Sequence, residues 1–230
     1  MGYENRNLTM MTDLYQLTMM NDYFELGKHE DIAVFDMFFR KANNKYVSYN
    51  IFAGLEQVID YIEKIAFKEE DIAYLRSLNI FGDGFLNYLR NFKFTGEMYS
   101  VEEGSIVFPQ EPLLRIKAPL IQAQFVETAL LNIINFQTLI ASKTSYIINA
   151  AKGADILEFG LRRAQGFDAG FYGSRAAYIA GAKGTSNVIA GEHLGIPVSG
   201  TMSHSYIMSF ENELSAFMNY AKAYPDDCVL

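Results

Sequence analysis

After Gly153 the chain settles into a rhythm that few folds permit. A short apolar run, a polar or glycine-bearing loop and a helix-patterned segment follow one another repeatedly. "ADILEFGLRRAQG" reads as strand and loop, and "FDAGFYGSRAAYIAGA" as a helix. "KGTSNVIAGEHLG" gives a second strand, loop and helix, and "IPVSGTMSHSYI" a third strand and loop. "MSFENELSAFMNYAKAYP" is helical, and "DDCVL" reads as the start of one more strand. Neighbouring strands joined through helices must run parallel, because each helix carries the chain back to the starting edge. Over 154–230 this alternation is the signature of an α/β architecture with a parallel sheet or barrel. Only about three or four βα units are present, where a closed barrel takes roughly eight. An unpaired apolar edge at Leu230 is a liability. The expectation is therefore a fragment, with a partner that completes the sheet as the alternative.

Residues 1–153 have a different texture, of helices mixed with β-formers. "TDLYQLTMMNDYFEL" (12–26) has apolar positions 14, 17, 20 and 23–24 at helical spacing, with Thr12 or Asp13 as N-cap and Gly27 as the stop. "DIAVFDMFFRK" (31–41) alternates like a strand. Helices are expected over 49–67, 68–79 and 82–92, and a small β-unit over 93–117. A long helix follows, opened by Pro119 and closed by Gly153.

Composition removes several classes of function. Of 230 residues half are apolar, and the formal net charge is −8. A general nucleic-acid surface needs a clustered basic footprint, which this balance opposes, although a few arginines can still build a local anion site. The single cysteine, Cys228, cannot form an internal disulfide, so a reducing, cytoplasmic setting is the default. No leader-like apolar region opens the chain, and Arg6 stands where a myristoylation motif needs Ser or Thr. No apolar run is read as long enough to span a bilayer. Walker and dinucleotide-binding glycine loops are missing, as is any HxxxH or Cys/His pairing for a transition metal.

In a parallel α/β barrel the loops at the strand C-termini share one face. Arg162, Arg163, Gln165, Thr185, Ser186, Asn187, Thr201, Ser203 and His204 should therefore gather at one rim. The set is cationic, hydroxyl-bearing and glycine-punctuated, which suits an anionic ligand. Blander readings stand beside this one. Adjacent arginines are often an exposed ion-pairing face. His204 can simply start a helix, Tyr15 can be a core aromatic, and His29 and His193 look structural or solvent-facing.

Taken together, "TDLYQLTM", "FDMFFRK", "ETALLNIINFQTLIASK", "EFGLRRAQG" and "GTSNVIAGEHLGIPVSGTMSHS" resemble the nicotinate phosphoribosyltransferases, in that family's order and over nearly the whole chain. The resemblance implies a type II phosphoribosyltransferase-like fold, an N-terminal α/β domain over 1–153 followed over 154–230 by the first part of an incomplete TIM-like α/β barrel, and a role in NAD salvage. Nicotinate and phosphoribosyl pyrophosphate would give nicotinate mononucleotide and pyrophosphate, with ATP as co-substrate and Mg²⁺ required. It implies that His204 is transiently phosphorylated. It also puts Tyr15 and Thr201 on nicotinate, and Arg162 with Leu161 on the bordering loop. Arg163, Ser203 and Ser205 fall in the same motifs. Phe159 and Tyr15 can offer aromatic faces to the pyridine ring, and Arg162 and Thr201 can address its carboxylate. A homodimer is implied, in which the N-terminal tyrosine reaches the partner's site. Three alternatives remain: a nicotinamide-specific relative, a non-catalytic half that completes a barrel in trans, and a barrel hosting unrelated chemistry.

Overall fold

A computed structural model describes residues 6–40, 48–226 and 228–229. The chain divides into two compact units, Met1–Ile147 and Ile148–Leu230, each described by itself. The first begins with helix α1 (Leu14–Glu25), N-capped by Asp13, and strand β1 (Ile32–Met37). After β2 (Asn50–Ile51) come helices α2 (Leu55–Glu63), α3 (Glu69–Ser77) and α4 (Asp83–Leu89). Strands β3 (Glu97–Ser100), β4 (Ile106–Val107) and β5 (Leu114–Pro119) then lead into α5 (Leu120–Phe125) and α6 (Glu127–Ala150).

The expected β-unit is not self-contained. β5 pairs antiparallel with β3 on one side and with β1 on the other, Ile32 facing Pro119 and Met37 facing Leu114. β4 pairs with β2. Leu114, Ile116 and Ala118 alternate inward along β5 and are buried, whereas Arg115 and Lys117 point outward and pair with Asp36 and Glu97. The inward face joins one core with Leu17, Met20, Phe52, Phe85, Leu89, Phe125 and Ile134. Leu14, expected on the buried face of α1, is exposed; the covered stripe is Gln16, Leu17 and Met20.

Residues 49–54, expected to be helical, are not. Gly54 has φ 111°, a left-handed conformation that interrupts a helix and that side chains avoid. Glu103 then caps the start of α2, its Oε1 accepting from the amides of Gly54 and Leu55. The segment before Gly54 is laced in extended form onto α6. Thr138 Oγ1, Ser142 Oγ and the Tyr146 hydroxyl accept from the amides of Ala53 (3.2 Å), Ile51 (2.9 Å) and Tyr49 (3.2 Å). The match is metrical: four helical residues rise about 6 Å, and two strand residues advance about 6.6 Å. Every fourth residue of one element therefore meets every second residue of the other.

The stretch Leu120–Ala150 corrects the reading that no apolar run could span a bilayer. By length and composition it could, with mean hydropathy 1.2, but 56% of that window is buried inside the fold. Its buried positions include Gln137, Thr138 and Ser142, all hydrogen-bonded within the chain. That is the signature of a core helix.

The second unit carries strand β6 (Leu157–Glu158), a 3₁₀ turn (Leu161–Arg163), α7 (Phe167–Ile179), β7 (Gly184–Thr185) and α8 (Val188–Leu194), followed by α9 (His204–Met208) and α10 (Glu213–Ala223). β6 and β7 are parallel, as the alternation demands. The third strand shrinks to a single parallel bridge between Thr185 and Val198. Pro197 has no N–H for a ladder, so its carbonyl accepts from Thr185 while Ser199 donates to the Thr185 carbonyl (both 3.0 Å). Helix α9 occupies residues read as loop. The last helix starts at Glu213 rather than Met208, because Asn212 Oδ1 caps it by accepting from the Ser215 amide (2.9 Å). The strand expected at "DDCVL" is not formed at Cys228–Val229, and Asp227 and Leu230 lie outside the described residues, as does Lys41 of the strand read over 31–41.

Candidate active site

Because β6, β7 and Val198 run parallel, their C-terminal ends share one edge, and three loops leave the sheet there. The first holds Phe159, Leu161, Arg162 and Arg163, all exposed. Neither guanidinium has an ion-pair partner among the described residues, so the exposed ion-pairing face expected of adjacent arginines is not what this turn provides. The third loop holds Thr201, Ser203, His204 and Ser205, also exposed. His204 is the first residue of α9 and Ser203 its N-cap. The Ser203 and Ser205 hydroxyls lie 2.6 Å apart, and the Thr201 hydroxyl donates to the Met202 carbonyl (3.3 Å).

The middle loop differs from expectation. Thr185 and Asn187, expected on the rim, are buried and face inward. Thr185 Oγ1 donates to Glu158 Oε2 (2.7 Å) and accepts from the Asn187 amide (3.0 Å). The Asn187 carboxamide donates to the Gly170 carbonyl (3.1 Å) and to Ser174 Oγ (3.2 Å), leaving Oδ1 without a partner among the described residues. These side chains fasten the strand ends to α7; only Ser186 of this loop is partly open. Gln165 is exposed in the turn after Arg163.

Tyr15 belongs to the first unit. It borders a cleft of about 670 Å³ with Asp13, Phe38, Arg40, Asn132, Asn135 and others. The ring is half-exposed rather than a core aromatic, and its hydroxyl accepts from Gln16 Nε2 (3.0 Å). Gln16 is fully buried and also donates to Glu127 (2.9 Å), while Gln124 donates to both Gln16 (2.6 Å) and Glu127 (3.0 Å). The sequence reading missed this network and Arg40. Its one visible signal was glutamine on the covered stripe of α1 and within the apolar run "IQAQF". Of the remaining histidines, His29 is partly buried against Phe24 and Tyr88, and His193 is exposed near Phe171.

No three His, Cys, Asp or Glu side chains group to hold a metal among the described residues. Both Glu158 oxygens, the nearest carboxylate to the arginine turn in sequence, are engaged in hydrogen bonds. The side chains present therefore do not fit a protein-built Mg²⁺ cage. Mg²⁺ characteristically binds through substrate phosphates with few protein ligands.

Residues 10–135 match the model of the nicotinate phosphoribosyltransferase N-terminal domain. The chain belongs to the nicotinate phosphoribosyltransferase family. It is 45% identical to nicotinate phosphoribosyltransferase of Bacillus subtilis (strain 168), over 99% of this chain and 46% of that protein. Nicotinate phosphoribosyltransferase 1 of Arabidopsis thaliana is 42% identical, over 87% of this chain and 36% of its own length. The crystal structure of human nicotinic acid phosphoribosyltransferase superposes with a TM-score of 0.80 at 34% identity, over 86% of this chain and 40% of that one. In fold alone the chain also resembles nicotinate-nucleotide pyrophosphorylase from Pyrococcus furiosus, with a TM-score of 0.76 at 22% identity. The fold is that of type II phosphoribosyltransferases, and the chain spans about half the length, or less, of the curated relatives it matches.

Proposed function

We propose that this chain carries the nicotinate-facing and phosphoryl-accepting groups of an ATP-coupled nicotinate phosphoribosyltransferase. The observation that carries the reading is the unpaired Arg162–Arg163 turn on the same strand-end edge as the Thr201–His204 loop. The pyridine nitrogen of nicotinate would attack C1′ of phosphoribosyl pyrophosphate as the bond from C1′ to the pyrophosphate oxygen breaks. Charge builds on the ribose ring and on the departing anion, so the protein's task is placement and electrostatics. Arg162 would hold the carboxylate through its planar fork, Thr201 would donate a hydrogen bond and Phe159 would offer a ring face, while Tyr15 would offer its ring to the site of a second copy of the chain. Arg163, Leu161, Ser203 and Ser205 would complete the walls.

His204 is exposed at the start of α9, and its imidazole makes no hydrogen bond among the described residues. It is therefore open to take the γ-phosphoryl group of ATP, with ADP leaving and water later cleaving the P–N bond. The group would add roughly −1.5 to −2 charge beside the arginines, shifting the loop's affinity for phosphoribosyl pyrophosphate and pyrophosphate and so coupling ATP hydrolysis to turnover. Mg²⁺ would arrive on the phosphates. A cytoplasmic setting fits the single thiol. The Tyr15 cleft, flanked by the exposed side chains of Leu14, Phe38, Leu131 and Leu139, would receive a second copy of the chain.

The test is formation of nicotinate mononucleotide from nicotinate and phosphoribosyl pyrophosphate. Arg162→Ala is expected to raise the KM for nicotinate about 10- to 100-fold, the loss of one charged hydrogen-bonding pair. Nicotinamide competes poorly if the guanidinium reads a carboxylate. His204→Asn is expected to abolish ATP coupling; retained coupling defeats the phosphohistidine step. The length of the relatives favours a second reading, in which this chain supplies half a site and turns over only with further chain added. Assaying it alone and with the following segment separates the two.

A further inference from the structure

Glu158, the last residue of β6, lies at the foot of the arginine turn and is not one of the groups expected to touch a ligand. Its carboxylate is the meeting point of three elements. Oε1 accepts from the Gly160 amide, two residues on; Oε2 accepts from Ser174 Oγ on α7 (2.9 Å) and from Thr185 Oγ1 on β7 (2.7 Å). Ser174 and Thr185 are buried, and Ser174 also receives the Asn187 carboxamide. The Gly160 carbonyl in turn accepts from the Arg163 amide (2.8 Å), closing the turn that presents both guanidiniums. A second contact holds the same turn. Leu161 leans on Gly170 of α7, where an added Cβ would come within 2.5 Å of Leu161 Cδ1.

We infer that Glu158 is the positioning residue of the arginine turn, fixing the Gly160 amide so that Arg162 and Arg163 are held ready for an anionic substrate. The inference rests on the functional reading above for the identity of that substrate, but not for the clamp itself. A carboxylate accepting three hydrogen bonds is stronger and more directional than neutral pairing. An ordered guanidinium spends less binding energy on becoming ordered. Loss of the clamp should therefore weaken substrate binding while leaving the chemical step nearly intact.

Glutamine is the informative conservative change. Its oxygen can still accept from Gly160, and its amide can donate to Ser174 and Thr185, whose hydroxyl oxygens accept as well as donate. Ser174 keeps the Gly170 carbonyl, 2.9 Å away, for its own proton. Glu158→Ala has no such recourse.

The experiment measures amide hydrogen exchange across residues 159–166 in the 230-residue chain as wild type, Glu158→Ala and Glu158→Gln, together with steady-state kinetics for nicotinate and phosphoribosyl pyrophosphate in the form that turns over. Expected is exchange at Gly160 and Arg163 about tenfold or more faster in the alanine variant, α7 remaining protected, and near-wild-type exchange in the glutamine variant. The KM for nicotinate should rise about tenfold in Glu158→Ala with kcat within about threefold, and glutamine should restore most of it. Unchanged exchange at Gly160 in the alanine variant overturns the inference. So does a loss of α7 protection together with the turn, which would make Glu158 a general fold residue. Should the wild type make no nicotinate mononucleotide while the exchange pattern holds, the functional reading falls and the clamp stands.

Discussion

At the scale of single residues, the balance between burial and partnership decides what each polar group does. Tyr61 is buried and its hydroxyl has no hydrogen-bond partner among the described residues. Burial holds that hydroxyl protonated well above the ordinary phenol range. Tyr88 is pushed up to about 12, by burial first and by the negative charge of Glu30 second. For both, the folded state favours the neutral phenol, so their contribution to stability is whole below the unfolded value near 10. It is lost as pH climbs through the folded value. Stability is therefore expected to fall between about pH 10 and 12 on Tyr88's account and to go on falling above that on Tyr61's. Tyr61→Phe removes an orphaned group and should be neutral or stabilising by up to about 1 kcal/mol at pH 8. Its alkaline loss should also be shallower than wild type's, as urea titrations at pH 8 and pH 11 would show.

At the scale of elements, the lacing of residues 49–53 onto α6 makes a sharp prediction. Ser142→Ala strands the buried Ile51 amide, and the cost should be about 1–3 kcal/mol, read as a lowered denaturation midpoint at unchanged slope. The same lacing shows what was legible and what was not. Helices α1, α3, α4 and α7 announce themselves by local periodicity, and their ends fall within a few residues of expectation. The long helix expected from Pro119 is interrupted at Val126, so that α5 precedes α6. The segment 49–53 does not, because the hydroxyls that hold it extended lie 85 to 97 residues away. The parallel strands were legible as an alternation, yet the third is a single bridge, since Pro197 cannot donate. The candidate site divides the same way. Arg162, Arg163 and His204 are visible because loops after strands collect at one edge. Glu158, Ser174 and Gln16 are invisible because their roles lie in partners distant along the chain. Thr185 ends strand β7 and Asn187 is the N-cap residue of α8, and both side chains point inward rather than to the rim, a direction that sequence alone does not give.

At the scale of the whole molecule, the formal charge of −8 opposes the approach of an anion, whereas the arginine turn invites it. Distance decides between them. At about 0.1 M salt, charges beyond roughly 10 Å are screened, so the nearby guanidiniums dominate what a bound anion feels. Raising salt toward about 1 M shortens that reach to roughly 3 Å, and the KM for the proposed anionic substrates should rise a few-fold. A fall would mean that the global charge governs binding. The sheet order of the first unit also has a consequence for biosynthesis. β1 waits for β5, and Tyr49 waits for Tyr146, 97 residues later. At a translation rate of about 5–20 residues per second, the early segments stay unsatisfied for roughly 5–20 s. During that interval the nascent chain offers β1 as an unpaired strand, and chaperone occupancy on stalled ribosomes should peak before β5 and α6 emerge and collapse once both have.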